Sequence, residues 1–155
     1  MTASTPNTQV NAYLRNKVLT ASREELRLLL LDGALKFAQQ GREGLSAKNY
    51  EQSFMGISQC RAIVLELLTT VRPEPDPELA QRVRAIYTFM YTKLVEASME
   101  RNVTKLDQVV KLLEYERETW VLLMQQLAKE RAGGEGIPEA AAAEAGARTA
   151  LSIEG

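Results

Sequence analysis

Residues 73–79 read Pro73-Glu74-Pro75-Asp76-Pro77-Glu78-Leu79, and this short stretch decides the fold class. Three alternating prolines cannot continue a helix, because each lacks a backbone N–H and crowds the preceding turn. The same residues open a new one. Asp76 suits the N-cap, where its carboxylate accepts an orphan N–H, and Pro77 suits the first helical position. Apolar residues then recur three and four apart at Leu79, Val83, Ile86, Met90, Leu94 and Ala97, the spacing of one helical face.

Upstream, Asn49-Tyr50-Glu51-Gln52 offers another cap, followed by Phe54, Ile57, Arg61, Val64, Leu68 and Val71 at helical spacing. Further back, Ser22-Arg23-Glu24-Glu25 is a capping box, in which the serine oxygen and the Glu25 carboxylate each take one orphan N–H. Its helix carries Leu26, Leu29, Leu30, Gly33 and Phe37. Downstream, the pattern breaks at Arg101-Asn102, where Asn102 suits a cap at either end. It resumes as Val103, Leu106, Val110, Leu113, Arg117, Trp120, Met124 and Leu127. Trp120 is expected to be largely buried between Leu113 and Met124.

No stretch reads as a strand. Similar helix lengths and short connections favour antiparallel neighbours. The expected fold is therefore all-α: an antiparallel four-helix bundle over 22–131, with helices at about 22–47, 50–72, 77–100 and 103–131. Residues 1–21 form an N-terminal segment, expected to be partly ordered over 10–21. Val10, Tyr13, Leu14, Val18 and Leu19 are too apolar for a free tail, so this segment is expected to pack on the bundle. Residues 132–155 shift to Gly, Ala and Glu and are expected to be a disordered, flexible tail.

The chain has 155 residues, 45% hydrophobic and 25% charged, with 19 basic and 20 acidic side chains and a formal net charge of −1. That balance lacks the basic excess of a nucleic-acid binder and gives little long-range steering. Partner binding is accordingly expected to be apolar and to depend little on salt. Apolar runs such as Leu28 to Leu31 are far too short for membrane insertion. Residues 1–10 lack the pattern of a secretory signal, and the lone Cys60 fits a reducing compartment. A cytoplasmic location is expected.

Chemistry has little to work with. There is no histidine, which removes imidazole acid–base catalysis, metal ligation and phosphotransfer together. Glu114, Glu116 and Glu118 read as a solvated helix face. Cys60 has no base to activate it and reads as a buried structural cysteine. Gly33, Gly41, Gly44 and Gly56 lie within helices and read as points of close packing, the alternative being a shallow groove. No enzyme, metal or cofactor is expected.

Apolar surplus is the informative feature. Beyond one stripe per helix, the chain carries Leu28, Leu31, Leu35 and Ala38, then Cys60, Ile63 and Leu67. Later helices add Tyr87, Phe89, Tyr91 and Val95, then Val109, Leu112, Val121 and Leu122. One stripe per helix closes a four-helix core. The surplus goes either into a wide core or into exposed clefts that receive an apolar partner.

The order of several motifs resembles the FliS family of flagellar secretion chaperones. They are Asn11-Ala12-Tyr13, Val18-Leu19-Thr20-Ala21-Ser22, Glu25-Leu26, Asp32-Gly33-Ala34 and Lys36-Phe37. They continue with Ile57-Ser58, Ile63-Val64-Leu65-Glu66-Leu67, Tyr87-Thr88-Phe89-Met90, Lys93-Leu94-Val95-Glu96-Ala97 and Trp120. The likeness covers about residues 11–130. Arg23, Leu31 and Lys93 depart from it, standing where proline, tyrosine and arginine are usual.

The resemblance implies a chaperone that binds the C-terminal segment of flagellin, prevents premature polymerisation and presents the subunit to the flagellar export apparatus. Expected flagellin contacts are Tyr13, Leu28, Leu31, Leu35, Ile63, Leu67, Tyr87, Tyr91 and Leu94. The alternative is a structural bundle that self-associates, as a homodimer or larger, through its surplus apolar surface.

Overall fold

A computed structural model describes residues 6–74 and 76–133. The expected tail at 132–155 thus falls, beyond Gly133, outside the described residues. Among the described residues five helices follow one another: α1 (Pro6–Thr20), α2 (Arg23–Ser46), α3 (Tyr50–Thr69), α4 (Pro77–Glu100) and α5 (Val103–Ala132). Among the described residues there is no strand.

Each of the last four helices starts at a side-chain cap. Ser22 and Glu25 form the reciprocal box: the Glu25 N–H donates to Ser22 Oγ at 3.2 Å, and the Ser22 N–H to the Glu25 carboxylate at 3.1 Å. Asn49, Asp76 and Asn102 accept from the N–H groups of Gln52, Leu79 and Lys105 at 3.1, 3.1 and 3.2 Å. Such a cap contributes about 1 kcal/mol. Between α4 and α5, Arg101 takes the left-handed conformation (φ 53°) and ends α4, which leaves Asn102 to open α5. Helix α3 stops at Thr69, ahead of the prolines. The N–H groups of Thr70 and Val71 turn back to the carbonyls of Leu67 and Leu68, and the Thr70 hydroxyl donates to Leu67 at 2.6 Å.

Helix α2 packs on α3 and on α5, and α4 packs on the same two helices. Named contacts give the direction of every pair. Gly44 lies against Ser53 while Gly33 lies against Ile63, so α2 and α3 run antiparallel. Arg42 meets Asp107 at one end of the α2–α5 pair and Arg27 meets Trp120 at the other. Arg101 covers Tyr50 while Arg84 reaches Val71, and Lys105 pairs with Glu96 while Glu116 pairs with Tyr87.

The α2–α3 contact is the tightest. A Cβ on Gly56 would stand 2.7 Å from the Phe37 carbonyl, and one on Gly41 would stand 2.9 Å from the Ile57 side chain. Glycine is required here by close approach, as expected from sequence. The core stripe of α2 is therefore small: Ala34, Ala38, Gly41 and Gly44 are buried together with Leu31. Around it close Ile57, Cys60, Val64 and Leu67 of α3, Tyr87, Met90 and Leu94 of α4, and Leu106, Val109 and Leu113 of α5.

Three expectations need correction. The stripe assigned to α3 is rotated: Phe54 is exposed and Arg61 half-buried, while Ser53, Gly56, Cys60 and Leu67 face inward. Glu116 is not on a solvated face but only 6% exposed. Trp120 is half-buried rather than largely buried: it packs on the core from its edge, and the Arg27 guanidinium lies 4.7 Å from its ring centre.

The N-terminal segment also differs. It is a helix in its own right, and it makes no substantial packing contact with α2–α5. The capping box that starts α2 at Ser22 interrupts the helix there, and Ala21 and Ser22 connect α1 to α2.

Candidate functional site

Two groups of exposed apolar side chains stand out, on α1 and on α3, beside single ones such as Met99 and Leu122. On α1, Val10, Tyr13, Leu14, Val18 and Leu19 are all exposed, Tyr13 at 64%. On α3, Tyr50, Phe54 and Leu65 are exposed along the shoulder that faces α4, Phe54 at 57% and Leu65 at 48%. Their positions, four and eleven apart, share a helical face. Across the seam stands half-buried Tyr91 of α4, with the Arg61 guanidinium 5.8 Å from its ring centre. Aromatic and aliphatic groups held on two rigid helices form a shallow apolar strip suited to an elongated partner.

The nine expected contact residues do not form one surface. Leu31, Leu67, Tyr87 and Leu94 are fully enclosed in the core. Leu28 and Leu35 are half-buried on α2, and Leu35 packs on the core from its edge. Ile63 lies against Gly33 in the α2–α3 contact. Tyr91 borders the α3–α4 seam, and Tyr13 is on α1. Phe54 and Leu65, the most exposed apolar groups of the seam, fall by sequence in a core stripe and in a family motif. Arg61 is the available signal. A guanidinium in a presumed core stripe marks that stripe as one step off the core.

A polar cluster closes one end of α2–α5. Arg27 of α2 donates to the Thr70 hydroxyl at 2.9 Å and lies over Trp120 of α5. Nearby, the buried Tyr87 hydroxyl of α4 donates to Glu116 Oε1 of α5, and Glu116 Oε2 has no hydrogen-bond partner. Burial pushes the Glu116 carboxyl above the usual carboxylate range, against the opposing pull of the Tyr87 hydrogen bond and the Arg27 charge. Burial, then the neighbouring Glu116 charge, holds the Tyr87 phenol well above its ordinary value. Both groups belong to the frame of the molecule.

Nothing in this arrangement activates a nucleophile. The Cys60 thiol is enclosed and pushed up by burial to about 12, so it is not a thiolate near neutrality. Among the described residues no cluster of Cys, Asp or Glu is arranged to hold a metal ion. No helix among them is long and apolar enough to cross a membrane.

Comparison with known sequences sets this surface in context. The family described as "Flagellar protein FliS" matches residues 6–127. A flagellar secretion chaperone FliS of Bacillus subtilis (strain 168) is 30% identical over 126 residues, covering 81% of this chain and 93% of the relative. The protein of that name from Campylobacter jejuni is 26% identical over 114 residues, 74% of this chain and 89% of the relative. That of Escherichia coli (strain K12) is 27% identical over 110 residues, 69% and 79% of the two chains.

Proposed function

The chain belongs to the FliS family of flagellar secretion chaperones, and from that membership we propose that it binds the C-terminal segment of flagellin. In this reading it acts in the cytoplasm, prevents premature polymerisation and delivers the subunit to the flagellar type III secretion apparatus. Helices α2–α5 serve as an antiparallel four-helix bundle, a rigid support with no catalytic role.

The observation that carries the reading is apolar surface held outside the core on rigid helices, at Phe54, Leu65 and half-buried Tyr91. An unassembled filament subunit has apolar helical faces in need of cover, and a partner must order the segment as it binds. An extended contact of this kind spreads over several seams. Tyr13, Leu28, Leu35, Ile63 and Tyr91 are its accessible members. Leu31, Leu67, Tyr87 and Leu94 shape it from beneath.

Seeded polymerisation of purified flagellin tests the reading. One equivalent of the chaperone should suppress filament growth, and Phe54→Asp should relieve that suppression without unfolding the chaperone. Unchanged growth in the presence of the wild-type chain would exclude the role. The second reading, a self-associating scaffold, draws on the exposed apolar residues of α1. It predicts a dimer that persists when flagellin is added.

A further inference from the structure

Glu116 is the only acid residue buried among the described residues, and one of its two oxygens has no hydrogen-bond partner. Its Oε1 accepts from the Tyr87 hydroxyl. Oε2 lacks an acceptor when the carboxyl is neutral and a donor when it is charged. The charged condition is the costly one, because a buried carboxylate needs a cation as well as hydrogen bonds.

The surrounding helices offer Oε2 little. Asp32 pairs with Arg117 and Gly33 lies against Ile63, so the α3 residues level with Glu116 are Ile63, Val64 and Leu67, all apolar. Helix α4 brings Tyr87, and one turn before it Arg84 turns away to the Val71 carbonyl. On α5 itself Arg117 is engaged with Asp32, while Glu114 and Glu118 are exposed. Helix α1, with Arg15 and Lys17, makes no substantial contact with the bundle. Helix α2 presents Asp32, already paired, Lys36, exposed over Phe37, and Arg27. Arg27 is the one cation whose charge acts on both Glu116 and Tyr87.

The restraints on Arg27 are weak. Its Nη2 donates to the Thr70 hydroxyl at 2.9 Å, and its plane covers Trp120 at 4.7 Å from the ring centre. A partly solvated contact of a cation with a ring is weaker than a charge-assisted hydrogen bond to a buried carboxylate. Trp120 follows Glu116 by four residues, so the two side chains stand one turn apart on the same face of α5. Rotation about the long Arg27 side chain carries its guanidinium across that turn.

We infer that Arg27 is a two-position latch: it covers Trp120 while Glu116 is protonated, and it moves to Glu116 Oε2 when Glu116 ionises, uncovering Trp120 and freeing Thr70. The structure holds the first position. Burial keeps the proton on Glu116 above the usual carboxylate range, so the covered position belongs to low pH and the paired one is reached as pH rises through the raised value. Thr70 closes α3 and Trp120 packs on the edge of the core, both at the end where α1 joins α2. The latch thus couples one buried charge to how firmly α2, α3 and α5 are tied at that end.

Fluorescence of the free, full-length chain tests this without any flagellin, so its outcome is separate from that of the chaperone reading. Trp120 is the only tryptophan and the chain has no histidine, so the signal has one source and no imidazole titration imitates the step. Between about pH 4 and about pH 9, acrylamide quenching of Trp120 should rise in a single step and its emission should move to longer wavelength. Both should approach the values that Arg27→Gln shows at every pH. Glu116→Gln, which still accepts from Tyr87 but does not ionise, should hold the low-pH values throughout. A second readout is the Arg27 Nε–H resonance, which the Trp120 ring should shift upfield at low pH and release through the same step. Far-UV circular dichroism should stay constant across it. No step in the parent chain, a step that survives in Glu116→Gln, an Arg27 resonance that stays shifted, or a step that accompanies loss of helix would each overturn the latch. Arg27→Gln only sets the scale, so Glu116→Gln and the Arg27 resonance decide even if that variant folds poorly.

Discussion

The Tyr87 hydroxyl of α4 donates to the Glu116 carboxylate of α5, and both side chains are buried where the helices meet. A carboxyl in that position is most comfortable neutral, because burial disfavours its charged form more than the single hydrogen bond and the Arg27 charge favour it.

The first prediction is a pH dependence of stability. Glu116 has a raised folded-state pKa, so the unfolded chain releases this proton at lower pH than the folded one. The stability it contributes is complete below the ordinary carboxylate range and is lost as pH rises through the raised value. Urea midpoints measured from about pH 4 to about pH 8 should carry this falling component. Glu116→Gln, which still accepts from Tyr87, should remove that component and be at least as stable as the parent chain at neutral pH. An identical pH profile in the variant would contradict the assignment.

Tyr87→Phe probes the other partner. It removes the one hydrogen bond of a buried acid and leaves both oxygens unmatched, which should destabilise by about 1–3 kcal/mol. The loss should be larger at neutral than at acid pH. Chemical denaturation at two pH values checks both the size and the direction.

Two glycines separate close packing from mere propensity. Gly56→Ala places its Cβ 2.5 Å from the Gly41 nitrogen and 2.7 Å from the Phe37 carbonyl, both backbone atoms that cannot rotate away. A loss of at least about 1–3 kcal/mol is expected. Gly33→Ala meets only the end of the Ile63 side chain at 3.2 Å and gains helix propensity of about 1 kcal/mol, so it should be neutral or stabilising. Thermal unfolding of the pair should show opposite or clearly unequal shifts.

Phe54→Ala should behave as a surface change in the free chain, within about 0.5 kcal/mol of the parent in stability. If the α3 shoulder contacts flagellin, the same change should weaken binding by about tenfold or more, given about 1.5–3 kcal/mol for burying such a ring. Unaltered affinity would move the contact to another seam.

How far the sequence reveals this molecule depends on what each residue does locally. Caps are local, and Ser22, Asn49, Asp76 and Asn102 can be read because the donor each one serves lies three residues on. Facing is not local. Small residues define the inner face of α2, where Ala34, Ala38, Gly41 and Gly44 let α3 approach, and a reading weighted toward large apolar residues settles on Leu26, Leu29, Leu30, Gly33 and Phe37, which are only half-buried. Glu116 is missed because general rarity argues against a buried acid, whereas its partner Tyr87 lies on another helix. The apolar strip suffers most: a net charge near zero conceals a seam where Arg61, Arg84 and Arg101 have no ion pair among the described residues.

Calorimetric titration of the chain with monomeric flagellin, intact and lacking its C-terminal segment, tests the central claim most directly. The chaperone reading predicts saturable binding to the intact subunit with a clearly negative heat-capacity change, the mark of apolar burial. It predicts no detectable binding to the truncated subunit. Equal binding to both forms, or none to either, would contradict it.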